Sequence, residues 1–195
     1  MLSRRSVAVL LSASLFLTAG CLEGLAVSGG IGTGLNDEPV LEDAMWGNLR
    51  IRGYRGTKSV ELIIRGTETD GHVPSVVDWD FRHYGAGPLF SWSQSDAGAG
   101  WWVGGGFVLG ESRLWATETN GDEDTAEVFR ASPVLAAGWR SEPARAWFVE
   151  TSLTIDLAWE SLDAVTPFGG NATSLTVSLD PSVVTVLSVS IGYCF

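Results

Sequence analysis

The densest run of chemically capable side chains in this 195-residue chain is Asp78-Trp79-Asp80-Phe81-Arg82-His83. Two carboxylates, a guanidinium and an imidazole so close together are raw material for acid–base or metal chemistry. On a strand, Asp78 and Asp80 share one face and His83 falls on the other. A hydrolase site would add Ser91 or Ser93 as nucleophile beside His83 and Asp80. The other histidine, His72, falls in a stretch read as loop, so no second imidazole completes a metal site. Asn120-Gly121-Asp122-Glu123-Asp124 is rich in oxygen ligands but lacks the alternating spacing of an EF-hand loop. Gly104-Gly105-Gly106 has neither the lysine nor the following helix of a phosphate-binding loop, and within a strand it fits close backbone approach. The residues therefore read as a non-enzyme, with no catalytic residue, cofactor or metal site expected.

Composition narrows the partners. With 12 basic and 23 acidic residues the formal charge is −11, which argues against nucleic acid and against an electrostatic grip on anionic lipid. The two cysteines, Cys21 and Cys194, exclude a disulfide-dense scaffold, a four-cysteine zinc site and a CxxC redox motif. Twenty-four glycines and 9 tryptophans without a Gly-X-Y period point to β structure with closely approaching backbones.

The elements that must position these residues follow a period of two. From Val183 the odd positions are Val183, Thr185, Leu187, Val189, Ile191, Tyr193 and Phe195, whereas the even ones are mostly small or polar. Trp147–Glu160 repeats the pattern, with Trp147 and Trp159 ending one apolar face and Glu150, Asp156 and Glu160 on the other. Eight such segments are expected: about 24–35, 45–55, 59–67, 73–94, 101–116, 127–140, 146–160 and a last one ending at Phe195. The fourth is interrupted by Tyr84-Gly85-Ala86-Gly87-Pro88, and Asn171–Leu179 reads as an extra hairpin arm, so ten strands is the competing count. Short basic turns at 55–58 and 140–145 alternate with longer loops at Asn36–Asp43, Thr67–His72, Thr117–Thr125 and Ser161–Asn171, the first three acidic.

Residues 1–20 read as a signal peptide, with Arg4 and Arg5 ahead of the apolar run Val7–Ala19, which is short for a bilayer span. Leu17-Thr18-Ala19-Gly20-Cys21 resembles a bacterial lipobox, which implies a lipidated Cys21. Without lipidation, Cys21 and Cys194 would sit at the same rim of a closed barrel, where a disulfide is the alternative.

Residues 21–195 resemble the small eight-stranded outer-membrane β-barrel proteins of Gram-negative bacteria, most specifically in the ending Ile191-Gly192-Tyr193-Cys194-Phe195. The resemblance implies an all-β, closed, antiparallel transmembrane barrel in the outer membrane with both termini periplasmic. It implies Tyr193 and Phe195 as the signal read by the barrel-assembly machinery, and outer-membrane lipid, lipopolysaccharide and other envelope proteins as partners. The His-x-Ser arrangement of barrel lipid A deacylases is absent. The lumen would hold Arg50, Arg52, Arg65, Arg82, Arg130 and Arg140 against Glu61, Asp78, Asp80, Glu150, Asp156 and Glu160, a charge network filling a narrow interior. The expected function is structural or surface-interacting, through acidic outward loops. A narrow solute channel, a lipid-modifying barrel enzyme and a soluble all-β periplasmic lipoprotein are the alternatives.

Overall fold

A computed structural model describes residues 23–35, 41, 44–73, 77–96, 99–118, 123–143, 146–157, 162–168, 173–179 and 183–195. Its strands are β1 (Gly24–Gly34), β2 (Met45–Arg55), β3 (Lys58–Val73), β4 (Val77–Ser93) and β5 (Gly100–Glu118). They continue with β6 (Glu123–Arg140), β7 (Trp147–Leu157), β8 (Leu162–Phe168), β9 (Thr173–Leu179) and β10 (Val183–Cys194). Eight of them close into a barrel in the order β1-β10-β7-β6-β5-β4-β3-β2, while β8 and β9 pair as a separate hairpin. All neighbouring pairs are antiparallel. The seam is the β1–β10 pairing, from Ala26 opposite Cys194 to Gly34 opposite Val186, and the Phe195 N–H extends it by donating to the Leu25 carbonyl at 2.8 Å. Closure leaves no edge within the apolar zone of these strands.

Alternation decides what each strand turns outward. Along β10, Leu187, Val189, Ile191 and Tyr193 are exposed and Val184, Val186, Ser188 and Ser190 are buried. β6 and β7 alternate in the same way. At the end where β1 begins and β10 ends, Trp92, Trp101, Trp139, Trp147, Tyr193 and Phe195 form an exposed aromatic belt. Trp101 lies opposite Trp139 and Trp147 opposite Tyr193, with the Tyr193 ring edge-on to Trp147 at 5.1 Å. An exposed apolar band bordered by aromatics is what a lipid-facing surface requires. Among the described residues no helix is long and apolar enough to cross a membrane, so the band is carried by strands.

Three expectations are revised. The fourth segment is not broken: β4 runs continuously through Tyr84–Pro88, and its register against β5 is unchanged from Ala86 opposite Leu109 to Leu89 opposite Gly106. Glycine makes this possible, because a Cβ on Gly106 would lie 2.0 Å from the Pro88 carbonyl oxygen. Thr67–His72 is strand rather than loop, since β3 pairs with β4 as far as Val73. The extra hairpin exists, but its first arm is β8, inside the stretch read as the Ser161–Asn171 loop, and it lies against β5 and β6.

Strand lengths split the barrel into two halves. β3, β4, β5 and β6 have 16, 17, 19 and 18 residues, against 11 or 12 in β1, β2, β7 and β10. About six extra residues lengthen each of those four strands by roughly 20 Å. They form a wall standing beyond the far end of the short strands.

Gly106→Ala should cost about 1–3 kcal/mol through backbone overlap with β4. Gly105→Ala, whose Cβ would meet Leu135 at an ordinary 3.5 Å, should be nearly neutral. Urea titration of the folded, heat-modifiable gel band checks the pair, and equal midpoints would refute the close-approach account.

Candidate functional site: the filled lumen and the charged outer wall

The half of the lumen nearer Phe195 is packed with paired charges. Glu150 on β7 accepts from Arg50 Nη1 at 3.1 Å, Arg52 Nη1 at 3.0 Å and Arg140 Nε at 2.8 Å. Glu61 on β3 accepts from Arg52 Nη2 at 2.7 Å and from the Ser91 hydroxyl at 2.9 Å. Two of these contacts are local consequences of register, because Arg52 lies opposite Glu61 and Arg140 opposite Glu150. The contacts of Arg50 and Arg52 with Glu150 reach across the barrel from β2 to β7, which only closure allows. Arg50, Glu61 and Glu150 are no more than 1% exposed. Arg50 and Arg52 also sit over the Trp102 ring at 5.2 and 5.5 Å, and Arg140 over Phe148 at 4.9 Å.

Beyond this layer, Arg65 pairs with Asp156. His83 Nδ1 lies 2.8 Å from Ser112 Oγ, which also accepts from Arg130 Nη2 at 3.0 Å. The far mouth is then closed by apolar side chains: Leu41, Ala44, Trp46, Phe81, Leu114, Ala116, Val184 and Val186, with Trp79, Ala126 and Val128 against them. Charge below and hydrocarbon above leave a filled interior.

The outer wall has the reverse polarity. On its outward face Glu68 pairs with Arg82 at 2.6 Å, His72 with Asp78 at 2.5 Å, and Arg113 with Glu127 at 3.1 Å and Glu111 at 2.8 Å. Asp70 lies directly opposite Asp80, and Arg82 stacks over Trp115 at 5.1 Å. On the inward face of the same strands lie Trp79, Phe81, Leu114, Ala116 and Val128. Above the apolar band the sheet faces water outside and a dry cluster inside, so the polar and apolar phases exchange faces. The ion pairs there are solvated and contribute little stability; they mark where the lipid-facing surface ends.

No protein-family model matches the chain, and no curated protein matches it in sequence. Solved structures do match in shape. The attachment invasion locus protein Ail of Yersinia pestis, in complex with the heparin analogue sucrose octasulfate, superposes with a TM-score of 0.59 at 15% identity, over 89% of this chain and 100% of that one. A major outer membrane protein from Thermus thermophilus gives 0.58 at 14% identity, over 88% and 99%. The fold is that of the small eight-stranded outer-membrane β-barrels.

Within this barrel the structure buries Arg50, Arg52, Glu61, Arg65, Arg130, Arg140, Glu150 and Asp156 in the lumen. Asp78, Asp80 and Arg82 do not join them. They lie on the outward face of the wall, and it is Phe81 and His83 that point inward, 0% and 2% exposed. Assigning charged positions to the lumen fails there because β4 has already risen past the apolar band. Glu160 lies outside the described residues, as does Cys21, and Cys194 is a half-buried thiol at the terminal rim. The imagined hydrolase set is also dispersed: Asp80 is outside, His83 contacts Ser112, and Ser91 serves Glu61. Sequence reasoning missed Trp46 and Trp102 as lumen residues. Trp46 shares its parity with Arg50 and Arg52, and in Trp101-Trp102 one of two adjacent rings must face in.

Glu150→Ala would strand three guanidiniums around one lost carboxylate, at an expected cost of about 3–5 kcal/mol. Arg82→Ala on the solvated wall should cost less than about 1 kcal/mol. Denaturant midpoints of the two variants in one detergent check the ranking, and a reversed order would refute the central role of Glu150.

Proposed function

We propose that this chain is a non-enzymatic outer-membrane protein whose interior serves structure and whose wall and loops serve contact at the cell surface. The observation that carries the reading is the division of labour along the strands. The lumen is filled by paired charges and capped by an apolar cluster, whereas the far half of β3–β6 presents Glu68, Asp70, Asp78, Asp80, Glu111, Glu123 and Glu127. A conducting role would need a continuous wetted path, and the closed far mouth speaks against one. The short turns and both termini belong at the periplasmic side in this reading, with the wall outside.

The wall also limits the partner. Ail was solved with a sulfated sugar, but a surface this acidic repels polyanions, so basic protein segments or cation-bridged lipopolysaccharide are the better match. Residues 1–20 act as the export signal and Tyr193 with Phe195 as the assembly signal in this proposal. Cys21 is the lipidation point; an intact mass without acyl chains and two hydrogens short would instead assign a Cys21–Cys194 disulfide.

Orientation and role are tested together. Thr125→Cys should react with a membrane-impermeant maleimide on intact cells, and Thr57→Cys only after permeabilisation. Purified barrel should give no discrete conductance steps in planar bilayers. The opposite labelling pattern would overturn the orientation, and reproducible steps altered by Glu150→Gln would replace the structural reading with a channel.

A further inference from the structure

On the inward faces of β4 and β5 three cross-strand pairs follow one another: Phe81 opposite Leu114, His83 opposite Ser112, and Gly85 opposite Gly110. The first pair belongs to the apolar cap. The third makes room for the imidazole, since a Cβ on Gly110 would lie 2.7 Å from His83 Cε1 and one on Gly85 would lie 3.2 Å from its Nε2. His83 also lies against the ring of Trp46, another cap residue, with 5.5 Å between centroids. Ser112 is 0% exposed and His83 2%, so the pair between cap and charge layer is sealed from water.

Hydrogen bonding fixes the charge on this histidine. Arg130 Nη2 donates to Ser112 Oγ at 3.0 Å, and a guanidinium has no acceptor to offer in return. The hydroxyl has one proton to place, and among the described residues its acceptor is His83 Nδ1 at 2.8 Å. Nδ1 is therefore bare, Nε2 carries the ring proton, and the imidazole is neutral. A proton taken up from solvent at Nδ1 turns that acceptor into a second donor aimed at the same oxygen. The hydroxyl proton is then left without its partner in a dry layer. Two cations stand close to the ring: Arg65 from β3, which shares the face of Trp46, and Arg130 from β6, which shares Ser112. The described carboxylate of this layer, Asp156 on β7, is held by Arg65.

We infer that His83 is a proton-operated latch for the apolar cap, closed while its ring is neutral and released when acid protonates it. Release acts on Phe81, Leu114 and Trp46, because these rest on the two residues whose bond is lost. The latch belongs to the interior and is independent of the surface role proposed above.

The test uses the full folded barrel in detergent micelles. The chain has two histidines, so isotope labelling gives two imidazole signals, and the one missing from His83→Gln is that of His83. At about pH 7 its nitrogen shifts should show a bare Nδ1 and a protonated Nε2. As the pH falls towards about 4.5, the Leu114 methyl signals should shift together with the His83 ring. In His83→Gln, whose amide accepts from Ser112 but does not titrate, that shift should vanish. Stability carries the same sign. The unfolded chain takes up its proton near about pH 6.5 while the folded barrel keeps His83 neutral, so the contribution is complete above that pH and is lost as the pH falls. Relative to His83→Gln, the parent should lose about tenfold in folding equilibrium per pH unit until the folded ring is itself protonated. A proton on Nδ1 at neutral pH, a ring still neutral at about pH 4.5, Leu114 signals indifferent to its protonation, or an undiminished acid response in His83→Gln would each overturn the inference. Should His83→Gln not fold, His72→Gln on the exposed wall assigns the signals, and the joint titration of His83 and Leu114 decides it.

Discussion

Every backbone N–H and C=O that faces lipid must find its partner within the chain, because hydrocarbon offers none. The β1–β10 pairing that closes this sheet meets that demand, and most other features of the molecule are consequences of it. Closure by eight strands creates an interior about as wide as its own side chains, so the inward positions must fill space without leaving charge or hydrogen-bonding capacity stranded. It also brings β2 opposite β7, which is how Arg50 and Arg52 reach Glu150.

The two ways in which the lumen is filled differ in physical character. At the end near Phe195, guanidiniums donate to carboxylates and hydroxyls and lie over the faces of Trp102 and Phe148. At the far mouth, Trp46, Phe81, Leu114 and their neighbours pack as an ordinary hydrophobic core. Buried ion pairs add little net stability over apolar packing, yet breaking one is expensive, so such a network favours one arrangement over its alternatives. The apolar cap lies where the wall of β3–β6 leaves the apolar band. There water is available outside, and the usual rule of soluble proteins returns.

The lengthened wall and the filled interior are therefore parts of one architecture. A barrel with short loops all round presents little area, whereas four lengthened strands present a rigid sheet with an acidic outer face. The shape resemblance to Ail and the Thermus protein extends over nearly the whole chain at 14–15% identity, so it informs the scaffold. What the scaffold contacts depends on this chain's own charges.

The amino-acid sequence by itself determined the strand character and the in–out phase wherever a strand lies in the apolar band, whereas pairing decided that eight of the ten strands close the barrel. Period-two patterns such as Val183–Phe195 can satisfy lipid on one side only in that way. It also marked the glycine triplet as a place of close backbone approach, and Gly106 against Pro88 is that place. The phase of β4 was decided only by the tertiary structure. Asp78, Asp80 and Arg82 carry the polarity of lumen residues, yet they face outward because strand length carries them past the lipid, where polarity reverses. The continuity of β4 through Pro88 and the cross-barrel convergence on Glu150 were likewise settled by pairing between distant strands. A local pattern specifies which residues share a face; the height of that face relative to the membrane, and what stands across the lumen from it, are set by the closed sheet.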